Sequence, residues 1–257
     1  MATLSPSTPG TGPAISLAAF RAALPPGTGE GAVADRLCAI GTGLHRERGE
    51  ELPPDRHEDR LVWIASGSAK LVAPHAAAAG TAAPPGGQVL AFHFAGDLVS
   101  VLRWSETEAW GGLRLVALTP CDLVIFPADR FLDAAQADPV VLRSVLTRSL
   151  QAVHRTQTRM MQIGHKSAAA RIADFLVSMA ERLAGQTEGP CTFALPMSRR
   201  DIGDSLGLTI ETVSRQLTEL REAGLVTTEG RSGVALSDVG ALARIAGRGA
   251  REEPGKI

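Results

Sequence analysis

The chain has 257 residues, with 26 Lys and Arg against 27 Asp and Glu, 44% hydrophobic residues and 21% charged ones. That length and balance describe a soluble globular protein large enough for two small domains, and a formal net charge of −1 means that any affinity for nucleic acid has to come from local patches. The absence of a signal peptide and of any run of eighteen apolar residues excludes a membrane partner, and three widely spaced cysteines, Cys38, Cys121 and Cys191, predict a reduced, cytoplasmic protein.

Residues 1–31 are rich in Pro, Gly, Ser, Thr and Ala, with one short apolar patch from Ile15 to Phe20, and predict a mostly flexible arm. Residues 32–135 change character. Apolar stretches such as LVWIASGSAKLVA, QVLAFHFAGDLVSVL and LRLVALTPCDLVIFP alternate with Gly and Pro turns, which predicts a compact β-roll of the jelly-roll kind. Within it the low-complexity segment from Pro74 to Gln88 predicts a mobile hairpin loop, an insertion and not a site. His45, His57, His75 and His93 are dispersed through this region, and PDRHEDR around His57 is read as an exposed charged turn, not a metal site.

Residues 136–164 predict one long helix beginning near Asp138. Along it Leu142, Leu146, Ser149, Val153, Thr156, Met160 and Ile163 alternate by four and three, a coiled-coil period without a charged residue. Pairing of two copies through this seam makes a homodimer, although a helix packed on the roll of its own chain can show a similar stripe. Gly164 interrupts the pattern, so Gly164 and His165 predict a hinge. A second amphipathic helix follows, with Ile172, Phe175, Leu176, Met179 and Leu183 turned inward.

Residues 165–257 form the last predicted domain, with twelve Lys or Arg and twelve Asp or Glu. Here LPMSRRDIGDSLGLTIETVSRQLTELREAGLV has the spacing of a helix-turn-helix. Ser198 caps a first helix with Ile202 and Leu206 inward, Gly207 makes the turn, and Thr209 caps a second helix that runs to about Ala223 and stops at Gly224. Val213, Leu217 and Leu220 make its buried stripe and leave Glu211, Ser214 and Arg215 on an exposed face that can enter a major groove. LVTTEGRSGVAL then predicts a two-stranded wing with Arg231 at its tip. Base reading falls to Glu211, Ser214 and Arg215; Ser198, Arg199, Arg200, Thr209, Thr212 and Arg231 are candidates for the phosphate backbone of double-stranded DNA.

These residues resemble the DNA-binding motif of the CRP/FNR superfamily of transcription regulators, and IETVSR resembles the FNR and FixK branch. Ile210 and Ser214 stand where the cyclic-AMP branch carries arginine and glycine. FHFAGDLVS and LVIFP are similar to that superfamily's sensory domain, the cyclic-nucleotide-binding-like roll. The resemblance therefore implies an α+β chain with roll, dimerisation helix and winged helix-turn-helix, TTGAT-like half-sites, and RNA polymerase as a partner.

The phosphate cassette of the cyclic-nucleotide receptors is broken here: Asp97 follows Gly96, and neither Arg103 nor Arg114 has the expected spacing. Three scattered cysteines, with none before Cys38, do not make the four-thiolate set of an iron–sulfur cluster. No cofactor is therefore expected. Haem or another effector bound in the roll is the competing expectation, and modification of Cys191, close before the first DNA-binding helix, would be a route to control. No nucleophile elbow, P-loop, dinucleotide fingerprint or HExxH is present, so an enzyme is not expected.

Overall fold

Strand side chains alternate between faces, and in this protein both faces of one sheet are buried. The structure, a computed structural model, describes residues 13–52, 55, 57–74, 87–101 and 112–248, and it divides into two units between Ala152 and Val153. In the first unit strands β1 (Thr42–Arg46), β2 (Glu51–Leu52), β3 (Arg60–Ser66), β4 (Ser68–Pro74), β5 (Gly87–Phe94), β6 (Leu98–Val101), β7 (Arg114–Ala117) and β8 (Cys121–Pro127) pair antiparallel. They form two four-stranded sheets, ordered β1-β8-β3-β6 and β2-β7-β4-β5. Val62, Ile64, Val99, Val101 and Leu123 of the first sheet meet Leu52, Ala69, Leu115 and Ala117 of the second, which is the core of the roll.

The alternate residues Trp63, Val124 and Phe126 pack in a second cluster with Phe20, Leu37, Phe131 and Val141. Those four come from helices α1 (Pro13–Ala22), α2 (Ala32–Ile40), α3 (Ala128–Ala135) and α4 (Pro139–His165). The ring of Phe20 lies 4.7 Å from Phe126 and 5.5 Å from Trp63, and its residue is only 4% exposed. Residues 13–31 are therefore not a flexible arm. Composition misleads there because one amphipathic turn, Ile15 to Phe20, drives an aromatic ring into the core and offsets the entropy of ordering the helix. Residues 1–12, the central part of the Pro74–Gln88 segment, His75 and Arg103 lie outside the described residues.

Asp138 starts α4 by accepting the N–H of Val140 at 2.8 Å. The helix runs through Gly164 to His165, so the break falls at Lys166, one turn-defining step later than the glycine suggests. On α4 the residues packed against the roll are Val141 and Val145. The predicted seam points elsewhere: Leu146, Val153 and Met160 are 57%, 53% and 70% exposed, and Leu142, Ser149, Thr156 and Ile163 are exposed as well. Leu150 and Met161, outside the predicted seam, add to that apolar surface at 60% each. Among the described residues no helix is long and apolar enough to cross a membrane.

In the second unit Ser167 caps α5 (Ala168–Met179), which ends in a π-helical turn, Ala180–Ala184. Ile172, Phe175, Leu176 and Met179 are buried, whereas Leu183, in the wider π turn that shifts helical phase, is only half-buried. Around them lie α6 (Arg199–Leu206), α7 (Ile210–Glu222), α8 (Val239–Ile245) and a three-stranded sheet of β9 (Cys191–Ala194), β10 (Val226–Glu229) and β11 (Gly233–Leu236), ordered β10-β11-β9. The third strand, β9, was not expected; its signal is the alternation of buried Cys191 and Phe193 with exposed Thr192 and Ala194.

An ionic cluster around the buried Asp174 closes this unit. Arg248 donates to Asp174 at 2.7 Å, to Glu181 at 2.7 Å and to the Ser178 hydroxyl at 2.6 Å. Lys166 lies 3.2 Å from Asp174, a residue 4% exposed, so this carboxylate is compensated from two sides and tied to the segment after α8.

Candidate nucleic-acid interface

The helix-turn-helix is built by caps and close packing. Ser198 and Asp201 form a capping box at α6: the Ser198 hydroxyl accepts the Asp201 N–H at 3.1 Å and the Asp201 carboxylate accepts the Ser198 N–H at 2.9 Å. Gly207 ends α6 with φ 64°, a left-handed conformation that glycine adopts without strain. Gly203 is needed for a different reason. A Cβ there would lie 2.6 Å from the Leu208 carbonyl oxygen, so only glycine lets the turn fold back on α6. From α5, Arg171 donates to the Leu206 carbonyl at 3.0 Å, satisfying an acceptor at the end of α6.

Thr209 caps α7 by accepting the Thr212 N–H at 3.2 Å. Val213 and Leu220 are buried as expected, but the third buried position is Gln216, at 7% exposure, while Leu217 is half-buried. Glu211 and Arg215 are exposed and Ser214 is half-exposed, which brings the three predicted base-reading residues onto one side of one helix. The Glu211 carboxyl is held below its usual range, first by a backbone N–H at the helix start, then by the Thr209 hydroxyl, with Arg200 adding attraction. It is therefore an ionised acceptor at neutral pH.

Two further contacts organise this face, one between the helices and one along α7 at the i,i+4 spacing. Arg199, exposed on α6, donates to the Ser214 hydroxyl oxygen at 3.3 Å. Arg215 Nε lies 3.8 Å from one oxygen of Glu219, whose other oxygen accepts from the Gln216 amide at 2.8 Å. Ser198, Arg199, Arg200 and Thr209 are exposed on this helix pair, with Thr212 half-exposed. Arg231 is exposed in the turn between β10 and β11, beside Gly230 at φ 57°.

The other candidate groups are placed differently. Cys121 and Cys191 are buried free thiols, pushed up by burial, and Cys38 is half-buried. Arg114 donates to Glu51 at 3.1 Å. His45 Nδ1 lies 2.8 Å from Asp122, which also accepts the Ser66 hydroxyl at 2.8 Å. His93 Nδ1 is 3.4 Å from Asp97, and its Nε2 is buried with no hydrogen-bond partner among the described residues. Among the described residues no group of three His, Cys, Asp or Glu side chains is arranged to hold a metal ion.

Comparison with known proteins agrees with this geometry. Residues 170–245 match the model of the Crp-like helix-turn-helix domain. The nitrogen fixation regulation protein FixK of Rhizobium meliloti is 36% identical over 54% of this chain and 59% of its own length. The transcriptional activator protein FnrA of Stutzerimonas stutzeri is 31% identical over 62% of this chain and 65% of its own. The chain thus spans roughly three fifths of the curated relatives it matches. Among solved structures, FixK2 from Bradyrhizobium japonicum is 27% identical, with TM-score 0.66 over 82% of this chain and all of that one. A CooA mutant from Carboxydothermus hydrogenoformans shares the fold at 16% identity and TM-score 0.63.

Proposed function

Because this chain belongs to the CRP/FNR family, with FixK-like regulators among its relatives, we propose that it regulates transcription as a homodimer that reads a palindrome of TTGAT-like half-sites. It does so without an iron–sulfur cluster or cyclic AMP. The observation that carries this reading is the exposed set Glu211, Ser214 and Arg215 on a helix capped at Thr209 and held to α6. Arg215 has the forked donors for guanine O6 and N7, Glu211 accepts from cytosine N4, and Ser214 serves a neighbouring A·T pair. Ser198, Arg199, Arg200, Thr209, Thr212 and Arg231 serve the phosphates, and RNA polymerase is the protein partner such a regulator addresses. The cytoplasm is the compartment where that DNA lies.

The test is a binding titration in air, with no nucleotide added, on a TTGAT palindrome and on half-sites altered base by base. The unaltered protein should prefer the palindrome, and Arg215→Ala should lose about 1–3 kcal/mol of discrimination at the guanine. Full discrimination retained by Arg215→Ala would defeat the assignment, and a cyclic-AMP-dependent gain in affinity would defeat the cofactor-free part.

One observation favours a second reading, in which an effector bound in the roll gates DNA binding. The Nε2 of His93, without a partner among the described residues, is a buried polar atom of the kind a ligand satisfies. A visible absorbance band in the purified protein that His93→Phe removes would support haem as that effector.

A further inference from the structure

Gln216 is a polar residue on the buried side of α7, at 7% exposure, where an aliphatic side chain would fill the same place. Burial of an amide is unfavourable unless it is hydrogen-bonded, and Gln216 donates to Glu219 Oε2 at 2.8 Å. This bond fixes one oxygen of a carboxylate that is otherwise exposed. The other oxygen, Oε1, faces Arg215 Nε at 3.8 Å, one helical turn back. An exposed ion pair of this kind contributes little to stability, so its consequence lies in where it holds the guanidinium.

We infer that Glu219, anchored by Gln216, is a positioning residue that sets Arg215 for guanine. Attraction at Nε draws in one edge of the guanidinium and leaves the two terminal nitrogens, the pair that matches guanine O6 and N7, directed away from the helix. The rotamer freedom that a long exposed side chain would lose on the DNA is then already lost in the free protein, which favours the matched base over the mismatched ones. Glu219 also places a negative charge near the DNA, which lowers affinity for every sequence alike. Its two effects have different signatures: the charge acts on all sites, the positioning only on the guanine.

This inference rests on the reading of Arg215 as the guanine contact, and the experiment separates the two. Affinities of the full chain are measured for a TTGAT palindrome and for the same palindrome with the guanine replaced, using the unaltered protein, Glu219→Gln, Gln216→Leu and Arg215→Ala. Glu219→Gln should raise affinity for the guanine-replaced site while the ratio between the two sites falls about 3- to 10-fold, within the range for directly coupled neighbours. Gln216→Leu keeps the helix side filled and should lower the ratio in the same direction. In the Arg215→Ala background, Glu219→Gln should leave the ratio unchanged. Equal gains at both sites, with the ratio kept, would overturn the inference and leave the guanine contact standing. A rise in the ratio would overturn it as well, by showing that Glu219 competes with guanine. An unaltered protein whose ratio shows no preference for guanine, or an Arg215→Ala variant that keeps the full ratio, would remove the underlying reading and this inference together.

Discussion

Arg199, on the first helix of the helix-turn-helix, donates to the hydroxyl oxygen of Ser214 on the second at 3.3 Å. A hydroxyl whose oxygen is occupied by an incoming N–H turns its own proton outward, so in the proposed interface Ser214 would be a donor toward adenine N7 or thymine O4. Residue spacing alone predicts that Arg199→Ala weakens all sites alike and lowers the salt slope by about one unit. The bond adds a second expectation, a loss of preference at the A·T pair. Titrations at several salt concentrations should show both, and Arg199→Ala with Ser214→Ala should be non-additive by about 0.5–1 kcal/mol at that pair. Strict additivity would mean that the contact has no part in reading.

Gly203→Ala tests the turn. The added methyl would meet the Leu208 carbonyl at 2.6 Å, and backbone is the neighbour that has to move. Helix propensity favours alanine by about 1 kcal/mol, so a gain in stability is the outcome if the contact is harmless. We expect the opposite, a loss of about 1–3 kcal/mol from overpacking together with a fall in DNA affinity, read by thermal unfolding and titration on one sample. A more stable variant with unchanged affinity would contradict the close approach.

The helix-turn-helix was legible because its signals are local. Ser198, Gly207 and Thr209 are caps and turns whose chemistry follows from residue type, and each stands at the place the spacing predicts. The roll was legible as alternating strands. What escaped depended on particular side-chain partners, some near in sequence and some far. Phe20 lies in a segment whose composition reads as disordered, and its helix is held by Phe126, more than a hundred residues away. Gln216 took a buried place in the stripe because Glu219 satisfies its amide, whereas periodicity ranks leucine above glutamine at any inward position. Asp174 is buried beside Arg248, 74 residues further along the chain, a pairing that no local pattern announces.

His45 makes the stability of the first unit depend on pH. Its imidazolium is held above the ordinary histidine value, first by the hydrogen bond to buried Asp122, then by Glu47. Ser66 on β3 also donates to that carboxylate. A group whose pKa is raised by folding contributes in full below its unfolded value of about 6.5, and the contribution is lost as pH rises through the folded value. Urea unfolding followed by tryptophan fluorescence should give a midpoint that falls as pH rises above about 6.5. Trp63, on β3 beside that site, belongs to the first unit, and no tryptophan occurs in the sequence after residue 110. In His45→Gln, whose amide can still donate to Asp122, that slope should flatten; an identical slope in the variant would assign the pH dependence elsewhere.

Dimerisation through α4 is the remaining expectation. Val141 and Val145 are used by the helix's own chain, against the roll, so the exposed stripe is not the packing surface of a monomer. Leu146, Val153 and Met160 stand more than half exposed, and Leu150 widens the same surface. Two copies joined there bury these side chains without placing like charges in the seam. In the proposed complex each copy's α7 would take one half-site, the two lying about 34 Å apart in successive major grooves, which is what demands a palindrome. Val153→Glu sets two carboxylates face to face across that seam, one from each copy. Sedimentation at micromolar concentration should show a dimer for the unaltered chain and a shift toward monomer for the variant. Specific DNA binding should fall with it, while thermal unfolding of the second unit stays cooperative, since Val153 is exposed in the single chain. A monomeric unaltered protein, or a variant that remains dimeric with unchanged affinity, would defeat this role for α4.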